Sequence, residues 1–84
     1  MRPANYLIAI GKAIRTRREA LGMSQEDLAD VVSLHRTYIG GIERGERNLG
    51  IENVVKIARG LQLRVSELAA LAEALQGVSK DRDK

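Results

Sequence analysis

An all-α fold of five short helices is predicted for this 84-residue chain by three observations. Apolar residues recur at steps of three and four in five successive stretches, the spacing of one helical face. No stretch alternates with the two-residue period of a half-buried strand, and no internal repeat appears. Aromatic residues are only 2% of a chain that is 44% hydrophobic, so its core is Leu, Ile, Val and Ala packed between helices. Such a length makes one small domain, too short to add a ligand-sensing or catalytic one. The domain is expected to occupy residues 5–77, with flexible termini at 1–4 and 78–84.

In the first stretch Leu7, Ile10, Ile14 and Leu21 line one face, and Gly22 stops the helix as a left-handed cap. Ser24, followed three residues later by Asp27, reads as the N-cap of a second helix. Glu26 and Asp27 suit the positive end of that helix, and Leu28, Ala29 and Val32 form its apolar side. The third helix is predicted from about His35 to Arg44, with Ile39 and Ile42 inward and Gly45 at its end. The polar loop Glu46-Arg47-Asn48 leads to Gly50 and a fourth helix with Ile51, Val54, Ala58 and Leu61 on one face. The fifth begins near Arg64 and carries Val65, Leu68, Leu71 and Leu75. From Ser79 the charges alternate (Lys80, Asp81, Arg82, Asp83, Lys84), a composition expected to stay disordered, and Pro3, the single proline, lies near the opposite end.

Composition closes several routes. There is no cysteine, hence no disulfide and no thiolate metal site. One histidine and no clustered carboxylates leave no metal site, no cofactor site and no nucleophile–base set, so the chain is not read as an enzyme. Two tyrosines are too few for the stacking platforms of RNA recognition. No run approaches 18 apolar residues, so no membrane span is expected. The short apolar run from Tyr6 to Ile10 soon meets Lys12 and Arg15, unlike a signal peptide, and cytoplasmic residence is the expectation. The net charge is +3, a mild basic excess that suits nucleic acid. Its placement is more telling. Lys12, Arg15, Arg17 and Arg18 cluster in the first helix, and Arg36, Arg44 and Arg47 surround the third.

The stretch from Leu21 to Leu49, LGMSQEDLADVVSLHRTYIGGIERGERNL, contains two short helical patterns joined by a tight turn. This is the pattern of one helix that crosses a DNA backbone and a second that enters the major groove. Only side chains near the N-terminus of the second helix, on its groove face, reach base edges. That selects Arg36 and Thr37, with His35 and Tyr38 beside them. A guanidinium grips guanine O6 and N7 in bidentate fashion, worth about 1–3 kcal/mol of discrimination, so Arg36 leads the set. Thr37 offers a hydrogen bond or a methyl contact to thymine, and Tyr38 suits a phosphate better than a base. Gly40 and Gly41, mid-helix, each cost about 1 kcal/mol relative to alanine. Close approach of the helix to DNA or to the second helix is the natural compensation.

Arg18, the SQEDLA run from Ser24, Ile39, the IERGER run from Ile42 and the IARGL run from Ile57 together carry a resemblance. The chain resembles the lambda-repressor-like helix-turn-helix family of Cro and phage repressors over roughly Leu7 to Leu68. Within it, the stretch from Leu34 to Leu61 is most similar to the controller proteins of restriction-modification systems, small homodimers that bind paired palindromes upstream of their own and the endonuclease gene. The resemblance implies phosphate contacts from Gln25, and from Arg47 and Asn48 in the loop after the recognition helix. It implies a partly buried salt bridge between Arg18 and Glu43 that sets the helix angles. Relatives often carry Ser or Gln where this chain has Gly40 and Gly41, which implies that direct readout there is lost and that DNA shape compensates. His35 stands where relatives have a capping Asp or Ser, and Arg64 where they have a capping Ser or Thr.

One unit reads a half-site, so a homodimer is expected to read two, about one helical turn or roughly 34 Å apart in an approximate palindrome. Val65, Leu68, Leu71 and Leu75 exceed what the core needs; with Leu61 and Leu63 they form an apolar stripe suited to a twofold helical contact, although some of them also close the core. The expected input is protein concentration, with dimers occupying an operator and regulating their own gene. Glu46 and Glu52 are candidates for contact with RNA polymerase. An antitoxin that binds DNA and covers a toxin with the same C-terminal stripe is the alternative.

Overall fold

The helical pattern resolves into α1 (Pro3–Ala20), α2 (Gln25–Val32), α3 (Arg36–Glu43), α4 (Ile51–Gly60) and α5 (Val65–Leu75). The computed structural model describes the backbone of residues 3–76 and the side chains of residues 5–76, and the charged tail from Ser79 lies outside these residues. There is no strand among the described residues. α1 begins at Pro3, ahead of the first apolar repeat. Proline fits there because the first turn of a helix has no partner for its N–H in any case.

Each helix stops for a local reason. At the end of α1, Gly22 has φ of +73°, its N–H donates to the Glu19 carbonyl at 3.0 Å, and the Met23 N–H reaches the Arg18 carbonyl at 3.0 Å. Gly45 closes α3 in the same way, with bonds from Gly45 to Ile42 and from Glu46 to Gly41, each 2.9 Å. Gln62 takes the left-handed conformation after α4, where Arg17 Nε also donates to the Leu61 carbonyl at 2.9 Å. α5 starts with half a cap. The Arg64 N–H donates to Glu67 Oε1 at 2.8 Å, but an arginine side chain has no acceptor to return.

α1 lies along α5 and crosses α3, while α2 packs on α3 and α4. The space between them is filled by Ala9, Ala13, Ile14, Leu28, Ile39, Ile42, Ile57, Leu61, Leu68 and Ala72, all essentially sealed from solvent. The seam on α1 is built from smaller residues than its Leu and Ile spacing predicts. Ala9 and Ala13 are fully buried, whereas Leu7 and Ile10 are only half-buried. The reason is Gly11. A Cβ there would fall 2.7 Å from the Glu43 carbonyl oxygen and closer still to that of Ile42, so α1 meets the end of α3 backbone to backbone.

The apolar stripe on α5 needs correction. Leu68, expected at a contact between copies, is 1% exposed and belongs to the core, as does Leu61. With Leu68 and Ala72 turned inward, Leu71 falls at the margin, and only Val65 and Leu75 keep substantial exposure, 38% and 42%. Tyr6 joins α1 to this helix, its hydroxyl donating to Glu73 Oε2 at 3.2 Å. Burial and the Glu73 carboxylate both hold the Tyr6 phenol above its ordinary range. Among the described residues, no helix is long and apolar enough to cross a membrane.

Gly11→Ala tests the α1–α3 crossing. Alanine improves helix propensity by about 1 kcal/mol, but its methyl meets backbone atoms that cannot rotate away, and overpacking costs up to about 3 kcal/mol. A net loss of about 2 kcal/mol is expected, roughly 10 °C in a thermal melt. An unchanged or higher Tm would contradict the crossing.

Candidate nucleic-acid interface

α3 cannot hold its position by itself. It has eight residues, two of them glycine, and its N-cap residue His35 makes no side-chain capping bond. Its last residue, Glu43, is the anchor. Arg18 Nε donates to Glu43 Oε2 at 2.6 Å and Arg18 Nη2 to Glu43 Oε1 at 3.0 Å, a bidentate pair in which each residue is only 8% exposed. Arg18 Nη1 also donates to the Met23 carbonyl at 2.7 Å, and Gln25 Nε2 donates to Glu43 Oε1 at 3.0 Å. The Glu43 carboxylate therefore joins α1 and α2 to α3, and Arg18 ties in the turn after α1. The hydrogen bonds to Glu43 raise the Arg18 pKa above its ordinary value, against the opposing effect of burial.

α2 is fixed by a reciprocal cap at its start. Ser24 Oγ accepts from the Asp27 N–H at 2.9 Å, and Asp27 Oδ2 accepts from the Ser24 N–H at 2.9 Å. The backbone bond from Ser24 lowers the Asp27 pKa below its ordinary 3.8. The turn into α3 passes through Ser33, a non-glycine at φ of +58°, and is closed by the Leu34 N–H donating to the Ala29 carbonyl at 3.0 Å.

Beyond this turn, His35, Arg36 and Thr37 stand exposed at the free N-terminal end of α3. Tyr38 is half-buried, and its hydroxyl accepts from Asn53 Nδ2 at 3.1 Å, while the same Asn53 nitrogen reaches the Leu49 carbonyl at 3.2 Å. Asn53 is the residue that sequence reasoning missed; its only signal is a polar side chain one turn into an apolar helix. Gln25 lies beside Gly40 and faces Glu43 with one of its two amide protons, which leaves the other for an outside acceptor. Arg44 pairs with Glu46 at 3.1 Å. Arg47 and Asn48 are exposed in the loop after α3, and the Arg47 Cζ lies 6.0 Å from the centre of the Tyr38 ring. The structure thus brings Gln25, Arg36, Thr37, Tyr38 and Arg47 around one helix, and α5 with Val65, Leu71 and Leu75 takes no part in that surface.

The helix-turn-helix family model matches residues 14–68, from the middle of α1 into α5. The chain belongs to the helix-turn-helix family. It is 42% identical over 65 residues to the control protein C.BamHI of Bacillus amyloliquefaciens, covering 76% of this chain and 80% of that one. The restriction-modification controller protein C.AhdI from Aeromonas hydrophila is similar in structure with a TM-score of 0.72 at 44% identity, over 74% of this chain and 94% of that one. The controller protein C.Esp1396I, solved as a tetramer in complex with its natural 35 base-pair operator, gives a TM-score of 0.76 at 38% identity, over 82% of this chain and 91% of that one.

In this helix-turn-helix unit the buried pair and the α2 cap make separable predictions. Arg18→Met or Glu43→Leu alone strands a charge and is expected to cost about 3–5 kcal/mol in denaturant unfolding, whereas the double variant loses much less than the sum. Strict additivity would remove the junction from the account. The Asp27 carboxylate, lowered by its bond from Ser24, stabilises above its unfolded pKa near 3.8, and that stabilisation is lost as pH falls through the folded value. The Tm difference between wild type and Asp27→Asn should therefore be constant at neutral pH and shrink in acid; a difference independent of pH would show that the charge has no role.

Proposed function

We propose that this protein is a cytoplasmic, sequence-specific DNA-binding regulator of transcription of the controller type. A homodimer lays one α3 in each of two successive major grooves of a palindromic operator and regulates its own gene. The observation that carries the reading is the free N-terminal end of α3, where Arg36 and Thr37 project from a helix whose far end is locked by Arg18 and Glu43. Similarity to a controller protein solved on its operator supports it.

Within this reading Arg36 takes guanine O6 and N7, Thr37 contacts a neighbouring base, and His35 and Tyr38 flank them toward the backbone. Gln25, Arg47 and Asn48 hold phosphates on either side, Gln25 through the amide proton that Glu43 leaves free. The surface left for pairing two copies on α5 is Val65 and Leu75 with the edge of Leu71, since Leu68 is closed off. Glu46 and Glu52 are both exposed and remain the candidates for a polymerase contact, Glu46 within a solvent-exposed pair with Arg44.

A gel-shift titration against the DNA immediately upstream of the protein's own gene, with unrelated DNA as competitor, tests this. Tight, competitor-resistant binding to a palindrome is expected, and Arg36→Ala should lose about 1–3 kcal/mol of discrimination at one base pair per half-site while keeping its fold. Weak, salt-sensitive binding alone would overturn the reading. Equal weakening of Arg36→Ala on all sequences would make Arg36 a phosphate contact instead.

A further inference from the structure

Arg47 belongs to the loop after α3, yet its side chain returns to the helix. A Cβ built on Gly41 would stand 2.9 Å from Arg47 Cγ, 3.3 Å from its Nε and 3.7 Å from its Cδ. The arginine stem thus fills the place that a side chain of residue 41 would take. Gly41 does not need glycine for its backbone, since its φ is not positive, unlike that of Gly22, Gly45 and Gly50. What the position requires is an absent side chain. It lies four residues after the exposed Thr37 along the helix and is itself buried, with the Arg47 side chain over it. The guanidinium ends 6.0 Å from the centre of the Tyr38 ring, at the outer limit of a cation–π contact.

The charge at this place is also uncommitted. Arg44 is paired with Glu46 at 3.1 Å, and Arg18 with Glu43, but among the described residues no carboxylate pairs with Arg47. An arginine whose stem is laid on a helix face and whose charge is unpaired has already lost part of the rotamer freedom that binding would cost it.

We propose that Gly41 is a positioning residue of the interface: its missing side chain is the seat that lays Arg47 across the outward face of α3, so that a guanidinium from the following loop meets DNA beside Thr37 in place of a side chain from α3 itself. The inference rests on the DNA-binding reading above. It accounts for a mid-helix glycine by a contact within the molecule, and it makes the identity of residue 41 matter to binding without its touching DNA.

Wild type, Gly41→Ala, Arg47→Ala and the double variant, titrated by fluorescence anisotropy against the fragment upstream of the protein's own gene over a salt series, test it. Each single variant should bind about tenfold more weakly on all sequences, with a salt slope lower by about one, the mark of one lost phosphate contact. The double variant should bind no more weakly than Arg47→Ala, because the seat has nothing left to orient. Gly41→Ala should melt at or above the wild-type temperature, since alanine favours the helix and the displaced arginine is free to swing away. Wild-type affinity in Gly41→Ala, a double variant that loses both effects in full, or a lowered Tm would each overturn the proposal. Wild-type protein that binds this fragment no better than unrelated DNA would overturn the DNA-binding reading, and the proposal with it.

Discussion

The bond between Arg18 and Glu43 is the constraint on which the rest of this structure depends. Taking two opposite charges out of water is expensive, and such pairs often contribute little net stability compared with apolar residues of the same size. Here the pair contributes position. Glu43 ends α3, Arg18 lies in the last turn of α1, and Gln25 opens α2, so one carboxylate sets the relative placement of three helices. The close crossing at Gly11 adds a steric stop in the same region. A short helix with two glycines and a weak N-cap is thereby held at its C-terminal end, which leaves its N-terminal end free to meet a partner.

That arrangement divides α3 into a committed side and an open one. Ile39, Ile42 and Glu43 are buried against α1 and α2, while Arg36 and Thr37 are exposed. Gly40 and Gly41 are buried as well, beneath neighbouring side chains: Gln25 and Arg44 beside Gly40, and Arg47 over Gly41. The chemistry of this face is thus supplied partly by α2 and by the loop after α3. In the lone helix each glycine is a cost of about 1 kcal/mol; in the assembled unit they are the surfaces on which neighbouring side chains rest.

Much of this was legible in the chain, for reasons that differ between elements. The number and order of helices follow from periodicity, and the Ser24–Asp27 cap and the Gly22 and Gly45 stops follow from rules that span only a few residues. The α1 seam was less legible because alanine and glycine add little to an apolar period, although Ala9, Gly11 and Ala13 decide how closely α1 approaches α3. A stripe of leucines does not reveal which of its members closes a core and which remains uncovered, so the burial of Leu68 is not legible from its spacing. The pairing of Arg18 with Glu43, 25 positions apart, has no local signal and could be reached only through family resemblance. The Tyr38–Asn53 bond and the rest of Arg47 over Gly41 are products of tertiary folding, and neither spacing nor composition announces them.

The central claim is that the open end of α3, with its neighbouring side chains, is the surface that meets DNA. Amide chemical-shift mapping of isotope-labelled protein, titrated with duplex from upstream of its own gene, tests it most directly. The account predicts the largest changes at Gln25, Arg36, Thr37, Tyr38, Arg47 and Asn48, with the buried turn at Ala13 and Ile14 of α1 nearly unmoved. Changes concentrated on α1 and α5, with α3 silent, would contradict it.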